Sequence, residues 1–309
     1  LVTGCAGFIG SNLTKVLLER GFKVIGIDNF DPFYAREVKE RNLSVFIHHP
    51  SFTFYEADIL DDAALCKIFD THQFDHVIHL AAKAGVRPSL LQPELYERVN
   101  VGGTINVLEQ AARTSVRHFT LASSSSVYGN DFGERAVETL TDLKPISPYA
   151  VSKLKAEQIA LKYHQQYGMD INVLRFFTAY GPGQRPDMAF MKFAKSIMEG
   201  NPIQLYGGEK MGRDFTNIGD IVNGILLSLN YSNGYEIFNL GSGREVKVAE
   251  VIRLLSDAIG KEAIVEEIEV QAGDPLFTLA DVSKAKHRLN YEPKVGLIQG
   301  IRYFCEALS

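Results

Sequence analysis

Three glycines, Gly4, Gly7 and Gly10, stand at even spacing behind the strand-like Leu1-Val2-Thr3 and ahead of a helical segment that begins at Ser11. Backbone without Cβ atoms can turn tightly there and approach a pyrophosphate, whose charge suits a helix N-terminus. The spacing is G-x-x-G-x-x-G, one residue longer in its first gap than the usual dinucleotide fingerprint. A strand, a glycine turn and a helix in that order leave few folds open, and a parallel α/β sheet is the first of them.

The rest of the N-terminal half agrees. Strand-like runs at Lys23–Asp28, Phe52–Ala57, His76–Leu80, His118–Ala122 and Ile171–Phe176 alternate with helical segments at Ser11–Arg20, Asp62–Asp70, Val101–Arg113 and Pro148–Tyr167. Short β-branched runs separated by helices of ten or more residues predict βαβ units and a Rossmann-type, doubly wound parallel sheet. Ser147 is placed to cap the last helix, and Pro148 suits its first position. After Phe176 the chain turns rich in Gly and Pro, as loops around a ligand would be. Ile218–Leu229 and Glu236–Leu240 read as a return to the sheet. The expected division is a nucleotide-binding domain over residues 1–176 with a return at 214–242. A smaller C-terminal substrate lobe would take residues 177–213 and 243–309.

Asp28, ending the second strand-like run, can accept hydrogen bonds from adenosine ribose hydroxyls and would repel a 2′-phosphate. Neither Asn29 nor Phe30 offers a compensating cation, so NAD is expected over NADP. Asp58 and Ile59 follow the third run and are candidates for the adenine edge. A net charge of −5 gives no reason to expect a nucleic-acid backbone as partner. Cys5, Cys66 and Cys305 are scattered and odd in number, which points to a reducing compartment, and the cytoplasm is expected. No apolar run approaches the roughly 20 residues that span a bilayer. Leu1-Val2-Thr3-Gly4 reads as the tail of a strand already under way, which leaves an upstream anchor open.

The chemistry is expected from three residues. Tyr149 and Lys153 stand at i and i+4 of one helix and project from one face. A phenol near pKa ~10 is a poor base at neutral pH; an ammonium and an oxidised nicotinamide beside it would lower that value. Ser124 lies within Ser123-Ser124-Ser125-Ser126, at the carboxyl end of the fifth run, where open α/β sheets bind ligands. An isolated Y-x-x-x-K would be an ordinary surface helix. Behind a nucleotide turn and a serine-rich strand end, it reads as a base. Histidines 72, 76 and 79 crowd one stretch, but alternation puts His76 and His79 on opposite faces, and no metal is expected.

Gly4–Gly10, Asp28, His79-Leu80-Ala81-Ala82, Ser124 within SSSSVYG, the YAVSK box at Tyr149–Lys153 and Arg213-Asp214-Phe215 resemble the extended short-chain dehydrogenase/reductase superfamily. The likeness runs through essentially the whole chain. Within the superfamily the sugar-nucleotide epimerases are nearest. Arg175–Ala189, Lys83–Ser89 and Asn29–Tyr34 look like the UDP-glucuronate 4-epimerases in particular. This resemblance implies tightly held NAD contacted by Gly4, Gly7, Phe8, Ile9, Gly10, Asp28, Asn29, Asp58, Ile59, Leu80, Ala81, Ala82, Lys83, Asn100, Tyr149, Lys153 and Phe176. It also implies a homodimer paired through the helices at Val101–Arg113 and Pro148–Tyr167.

The reaction implied is inversion at C4 of a UDP-sugar through a transient 4-keto sugar, with Tyr149 as base, Ser124 on the same hydroxyl and Lys153 beside the phenol. Dehydratases of the superfamily carry an Asp-Glu pair before the VYG element, and nucleotide-sugar decarboxylases carry a Glu there. Ser125 and Ser126 occupy those places here, which disfavours elimination and decarboxylation. Resemblance assigns Arg213 and Arg185 to the diphosphate and nearby nucleotide, Tyr206 to uracil and Asp274 to the UDP ribose. Thr178, Ser125, Ser126 and Arg87 are candidates for a sugar carboxylate. Thr178 stands where UDP-galactose/glucose epimerases generally carry Asn, which favours glucuronate. The alternatives are a UDP-glucose or UDP-N-acetylglucosamine 4-epimerase, a dehydrogenase with exchangeable cofactor and a catalytically silent NAD sensor. A sensor would need the glycines and no base.

Overall fold

A computed structural model describes residues 1–130, 132–208, 211–269 and 277–308. The first half follows the expected alternation: β1 (Val2–Thr3), α1 (Phe8–Glu19), β2 (Val24–Asp28), α2 (Arg36–Ser44), β3 (Phe52–Glu56), α3 (Asp62–Thr71) and β4 (His76–His79). Two short helices, α4 (Val86–Leu91) and α5 (Pro93–Tyr96), come next. A π-helical stretch over Glu97–Gly102 then leads into α6 (Gly103–Arg113), so the segment expected to begin at Val101 is helical from further upstream. β5 (His118–Ser124), α7 (Pro148–Tyr167) and β6 (Asp170–Phe176) complete this half. The bounds of α7 are those read from the sequence, because its ends are written locally. Ser147 Oγ accepts from the Ala150 N–H, Pro148 opens the first turn, and Gly168 closes the helix in the left-handed region at φ 70°.

The second half runs β7 (Thr178–Tyr180), α8 (Ala189–Glu199), β8 (Ile203–Tyr206), β9 (Gly212–Arg213), β10 (Phe215–Asn217), α9 (Ile218–Ser228) and β11 (Tyr235–Leu240). It ends with β12 (Val246–Lys247), α10 (Val248–Ile259), β13 (Val265–Ile268), α11 (Ser283–Leu289) and α12 (Leu297–Glu306). β11 pairs with β6 and completes a seven-stranded, all-parallel sheet of order β11-β6-β5-β4-β1-β2-β3. The order reverses direction at β1 and β4. Ligands of such sheets bind outside the strand ends at that switch point, where the glycine turn after β1 and Leu80–Lys83 after β4 lie.

The smaller lobe has its own core of Phe190, Ile197, Leu205, Phe215, Ile252 and Phe304 with neighbouring side chains. Two parts of the expected division are corrected. Phe215 packs in the lobe core, although 214–242 was read as a return to the nucleotide-binding domain. Ala285 and Leu289 of α11, with Tyr291 behind it, pack into the core beneath the main sheet beside Ile225 and Phe238, although 243–309 was assigned to the lobe. The reason is apolar periodicity: α11 buries one stripe, and the surface free to receive it is α9 and β11. The acidic strand β13 pairs in parallel with β8 and keeps its glutamates exposed.

Asp214 joins the two halves. It is fully buried and accepts hydrogen bonds from the backbone N–H groups of Ser242 (2.7 Å), Gly243 (3.0 Å) and Ala280 (3.1 Å), and from the hydroxyls of Thr216 and Ser242. Burial pushes its carboxyl up, and these donors oppose the shift. Among the described residues no helix is long and apolar enough to cross a membrane.

Candidate active site

The turn after β1 is shaped by what its glycines lack. Gly4 sits at φ +73°, and a Cβ on it would come within 3.0 Å of the Ala81 nitrogen. A Cβ on Gly10 would lie 2.0 Å from the Gly4 carbonyl oxygen. The turn therefore folds onto itself and onto Leu80-Ala81 with no room for side chains. α1 starts at Phe8 behind Gly7 with no side-chain cap, so its first N–H groups have no partner from a capping side chain, as an anion site requires.

One cleft runs from this turn across the carboxyl ends of the strands. Gly4, Gly7, Phe8, Ile9 and Gly10 line it, with Asp28, Asn29, Asp58 and Ile59 at one end. Leu80, Ala81, Ala82 and Lys83 form its floor, and Ser124, Tyr149, Lys153, Phe176, Thr178 and Arg185 close the other end. Residues named separately from the sequence thus share one wall-to-wall site. Its glycine cradle and its terminal acceptor Asp28 fit a dinucleotide.

Asp28 is buried, and its carboxylate accepts from the N–H groups of Ala6 (3.2 Å) and Phe30 (2.9 Å). It also pairs with Lys39 Nζ at 3.2 Å. Neither Asn29 nor Phe30 supplies a cation to Asp28, as expected; the cation comes from further along the chain. Lys39 comes from α2, eleven positions on, and its stem is buried while its ammonium also lies 5.3 Å from the Tyr34 ring centroid. Its burial on a helix that is otherwise mostly solvated appears only once α2 is packed against β2. Asn29 and Asp58 are bonded to one another at 2.8 Å.

Asn100, expected on the cofactor, is placed behind the loop after β4. It is buried, and its amide bonds the backbone of Lys83 on both sides (2.7 and 3.0 Å) and Ser152 Oγ (2.9 Å). It holds the loop after β4 in place and does not line the cleft. Lys83 pairs with Asp31 at 2.7 Å, and Phe33 lies between Lys83 and Arg185, 5.7 and 5.6 Å from its ring centroid. The segment after β2 therefore reaches across the cleft, a contact that no local pattern announces.

At the reactive end, Ser124 Oγ accepts from the Ser126 N–H (3.2 Å) and hydroxyl (2.9 Å). Lys153 Nζ donates to the Ala122 carbonyl at 2.8 Å, and burial lowers its pKa to about 8. Tyr149 is partly buried, with its ring edge-on to Tyr96 at 6.2 Å. Burial pushes the Tyr149 phenol up, while the Ser124 hydrogen bond and the Arg185 charge pull it back, so the protein's own groups do not by themselves bring the expected lowering. Arg185, expected on the diphosphate, is thus placed where its field reaches the phenol. It is held by a two-pronged pair with Asp187, both contacts at 2.9 Å.

The remaining substrate candidates separate from this cleft. Arg87, expected near a sugar carboxylate, places its guanidinium 4.4 Å from the centroid of the Tyr206 ring. Arg213, on β9, donates to the Gly212 carbonyl. Arg87, Tyr206, Arg213, Ser125 and Ser126 do not line the cofactor cleft, and Asp274 lies outside the described residues. His79 is buried between the hydroxyls of Thr3 (2.8 Å) and Thr104 (3.1 Å), and His76 stacks on His118. Among the described residues no group of three His, Cys, Asp or Glu could hold a metal.

With that geometry in view, the chain matches the GDP-mannose 4,6-dehydratase family, one of the extended short-chain dehydrogenases, over residues 1–304. The chain belongs to that family. A UDP-glucuronate 4-epimerase of Thermodesulfobacterium geofontis is 42% identical over 303 residues, 98% of this chain and 93% of that one. The UDP-glucuronic acid 4-epimerase of Bacillus cereus, solved with UDP-glucuronic acid and NAD, is 35% identical at a TM-score of 0.93, covering 99% and 98% of the two chains. A UDP-glucose 4-epimerase of Thermotoga maritima with UDP-glucose is 31% identical at a TM-score of 0.90, covering 99% and 97%. The family thus spans dehydratases and epimerases on one backbone, and its members must differ at individual side chains.

Proposed function

We infer that this chain is an NAD-dependent isomerase that inverts C4 of a UDP-sugar, interconverting UDP-glucuronate and UDP-galacturonate. The observation that carries the reading is the reactive end of the cleft, where Ser124, Tyr149 and Lys153 meet; behind it Ser126 is bonded to Ser124, and positions 125 and 126 carry hydroxyls in place of carboxylates. Full-length relatives with this activity support the choice of sugar.

Bound NAD supplies the acceptor and donor of hydride at the sugar's C4. Tyr149 takes the proton of the 4-hydroxyl, and Ser124 holds the same oxygen. Burial holds the phenol up, and the Ser124 hydrogen bond and the Arg185 charge oppose that; an oxidised nicotinamide held in the cleft would favour the phenolate further. Elimination would need an acid next to the base, which Ser125 and Ser126 do not provide. The 4-keto form of a uronate is a β-keto acid and can lose CO₂. Thr178, Ser125 and Ser126 are the groups that would hold its carboxylate in an orientation poor for C–C cleavage. Rotation of the keto sugar between its two faces requires a firm grip on UDP, which falls to Tyr206 and Arg213 in the smaller lobe.

Separate incubations with UDP-glucuronate and UDP-glucose, followed by NMR, test this. UDP-galacturonate should form from the first without net NADH release. A UDP-pentose product would refute the holding of the carboxylate, and turnover of UDP-glucose alone would give the sugar to the second reading. A homodimer through the outer faces of α6 and α7 is also proposed, since Leu161 and Tyr167 on α7 stay exposed. Sedimentation should give twice the chain mass, and a monomer at micromolar concentration would remove the proposal. The reducing cytoplasm is proposed as the compartment, since Cys5, Cys66 and Cys305 are not joined in disulfides among the described residues.

A further inference from the structure

One buried carboxylate beside the site has no part in the reaction as described. α7 presents Tyr149, Lys153 and Glu157 at i, i+4 and i+8, and Glu157 is only 2% exposed. Its Oε1 accepts from the Ser123 hydroxyl and from Arg175 Nε at 3.0 Å, and its Oε2 accepts from Arg175 Nη2 at 2.7 Å. Ser123 and Arg175 are register partners on β5 and β6. Ser123 is flanked by Ala122, whose carbonyl takes the Lys153 ammonium, and by Ser124, whose hydroxyl faces the cleft. Arg175 is 1% exposed and lies 4.7 Å from the Tyr128 ring centroid, and the Tyr128 hydroxyl donates to Asn239. Well-packed apolar residues usually stabilise a core as much as such a pair does, so stability is a poor reason for charges here.

We propose that Glu157 is a positioning residue for the epimerisation: clamped by Arg175, its carboxylate fixes the strand end that carries Ser124 and provides the counter-charge for the buried Lys153 ammonium. The proposal rests on the epimerase reading and adds a residue to its site. Burial lowers the lysine, and Glu157 is the group that opposes the shift. Removing the carboxylate therefore moves the loss of the ammonium to lower pH.

Tyr149 shares this end of the cleft with Lys153 and, as the base, governs the acidic limb of a rate profile, so the alkaline limb is the one that reports on the ammonium. His79 on β4 is pushed down to about 3 and stays neutral. Tyr96 on α5 and Tyr128 behind β5 are pushed up to about 12, and burial also raises Tyr235 on β11, whose hydroxyl donates to the Glu157 carbonyl. Arg175 and Arg185 are permanently charged, Arg98 lines the cleft, and Lys83 is paired with Asp31. Glu97, on the π-helical stretch, is spent on Lys155, and Glu109 on α6 is spent on Tyr163.

The test is the pH profile of kcat for NAD-loaded protein turning over UDP-glucuronate. Glu157→Gln should lower kcat about tenfold or more and move the alkaline limb down by roughly one pH unit, with bound NAD and KM nearly unchanged. Because that variant leaves Arg175 buried without its partner, Glu157→Gln/Arg175→Met is made alongside, and the same displaced limb is expected. A wild-type limb in a folded variant would overturn the proposal. So would misfolding of both variants, which would assign the pair to stability alone. Wild-type protein in the same series separates the two readings: if it does not turn over UDP-glucuronate, the epimerase reading has failed first.

Discussion

Tyr149→Phe is expected to lower kcat by about 10²–10⁴-fold, the range that a positioned general base contributes, while the purified protein keeps its NAD. The substitution removes one oxygen and leaves the ring, so the edge-on contact with Tyr96 at 6.2 Å survives. The helix that carries the residue is capped by Ser147 and closed by Gly168, neither of which the change touches. Lys153 keeps its bond to the Ala122 carbonyl. The loss should therefore fall on turnover, with NAD content and thermal midpoint close to wild type. Activity near wild type in the Phe variant would overturn the assignment of the base.

Gly10→Ala is expected to act at the other end of the cleft and in the opposite sense, abolishing cofactor retention without touching a reacting group. Its Cβ would lie 2.0 Å from the Gly4 oxygen, 2.8 Å from the Gly4 carbonyl carbon and 2.9 Å from Cys5 Cα. All three are backbone atoms, so no side chain can rotate out of the way. Gly4 cannot yield either, because it is held at φ +73° against Ala81. The turn has to open. Overpacking of this kind costs about 1–3 kcal/mol, and here the displaced atoms are those that cradle the pyrophosphate. Denaturation should report the stability loss, and assay of NAD in the purified protein should find little. Gly296→Ala, where an added Cβ meets nothing within 4 Å, is the control and should leave NAD bound. Stoichiometric NAD in the Gly10 variant would refute the placement of the pyrophosphate.

Both predictions use residues that were legible in the sequence, for reasons that differ. Gly4, Gly7 and Gly10 could be read because a tight strand-to-helix turn admits few residue types, and Tyr149 and Lys153 because helical spacing puts them on one face. The length of α7 was legible because both of its ends carry their own chemistry. Lys39 was not: it reaches Asp28 only because α2 packs back onto β2, and nothing near Asp28 foretells it. The hold of Asn100 on the loop after β4 was not legible either, since its partners on the Lys83 backbone lie seventeen positions away. Arg185 and Arg87 were both named from resemblance, and only the fold separates them, with Arg185 lining the cleft and Arg87 on the Tyr206 ring.

By itself, then, the sequence determined the order of strands and helices, the glycine turn, the base with its lysine and the lack of acids at Ser125 and Ser126. These rest on local rules of spacing, capping and residue type that hold before the chain folds. The tertiary structure alone decided the counter-charges of Asp28 and Lys153, the clamp of Glu157 on Arg175 and the upward push on the Tyr149 phenol. Each of those depends on burial and on partners brought from distant parts of the chain, and a charge has no fixed cost until its solvent and its neighbours are known.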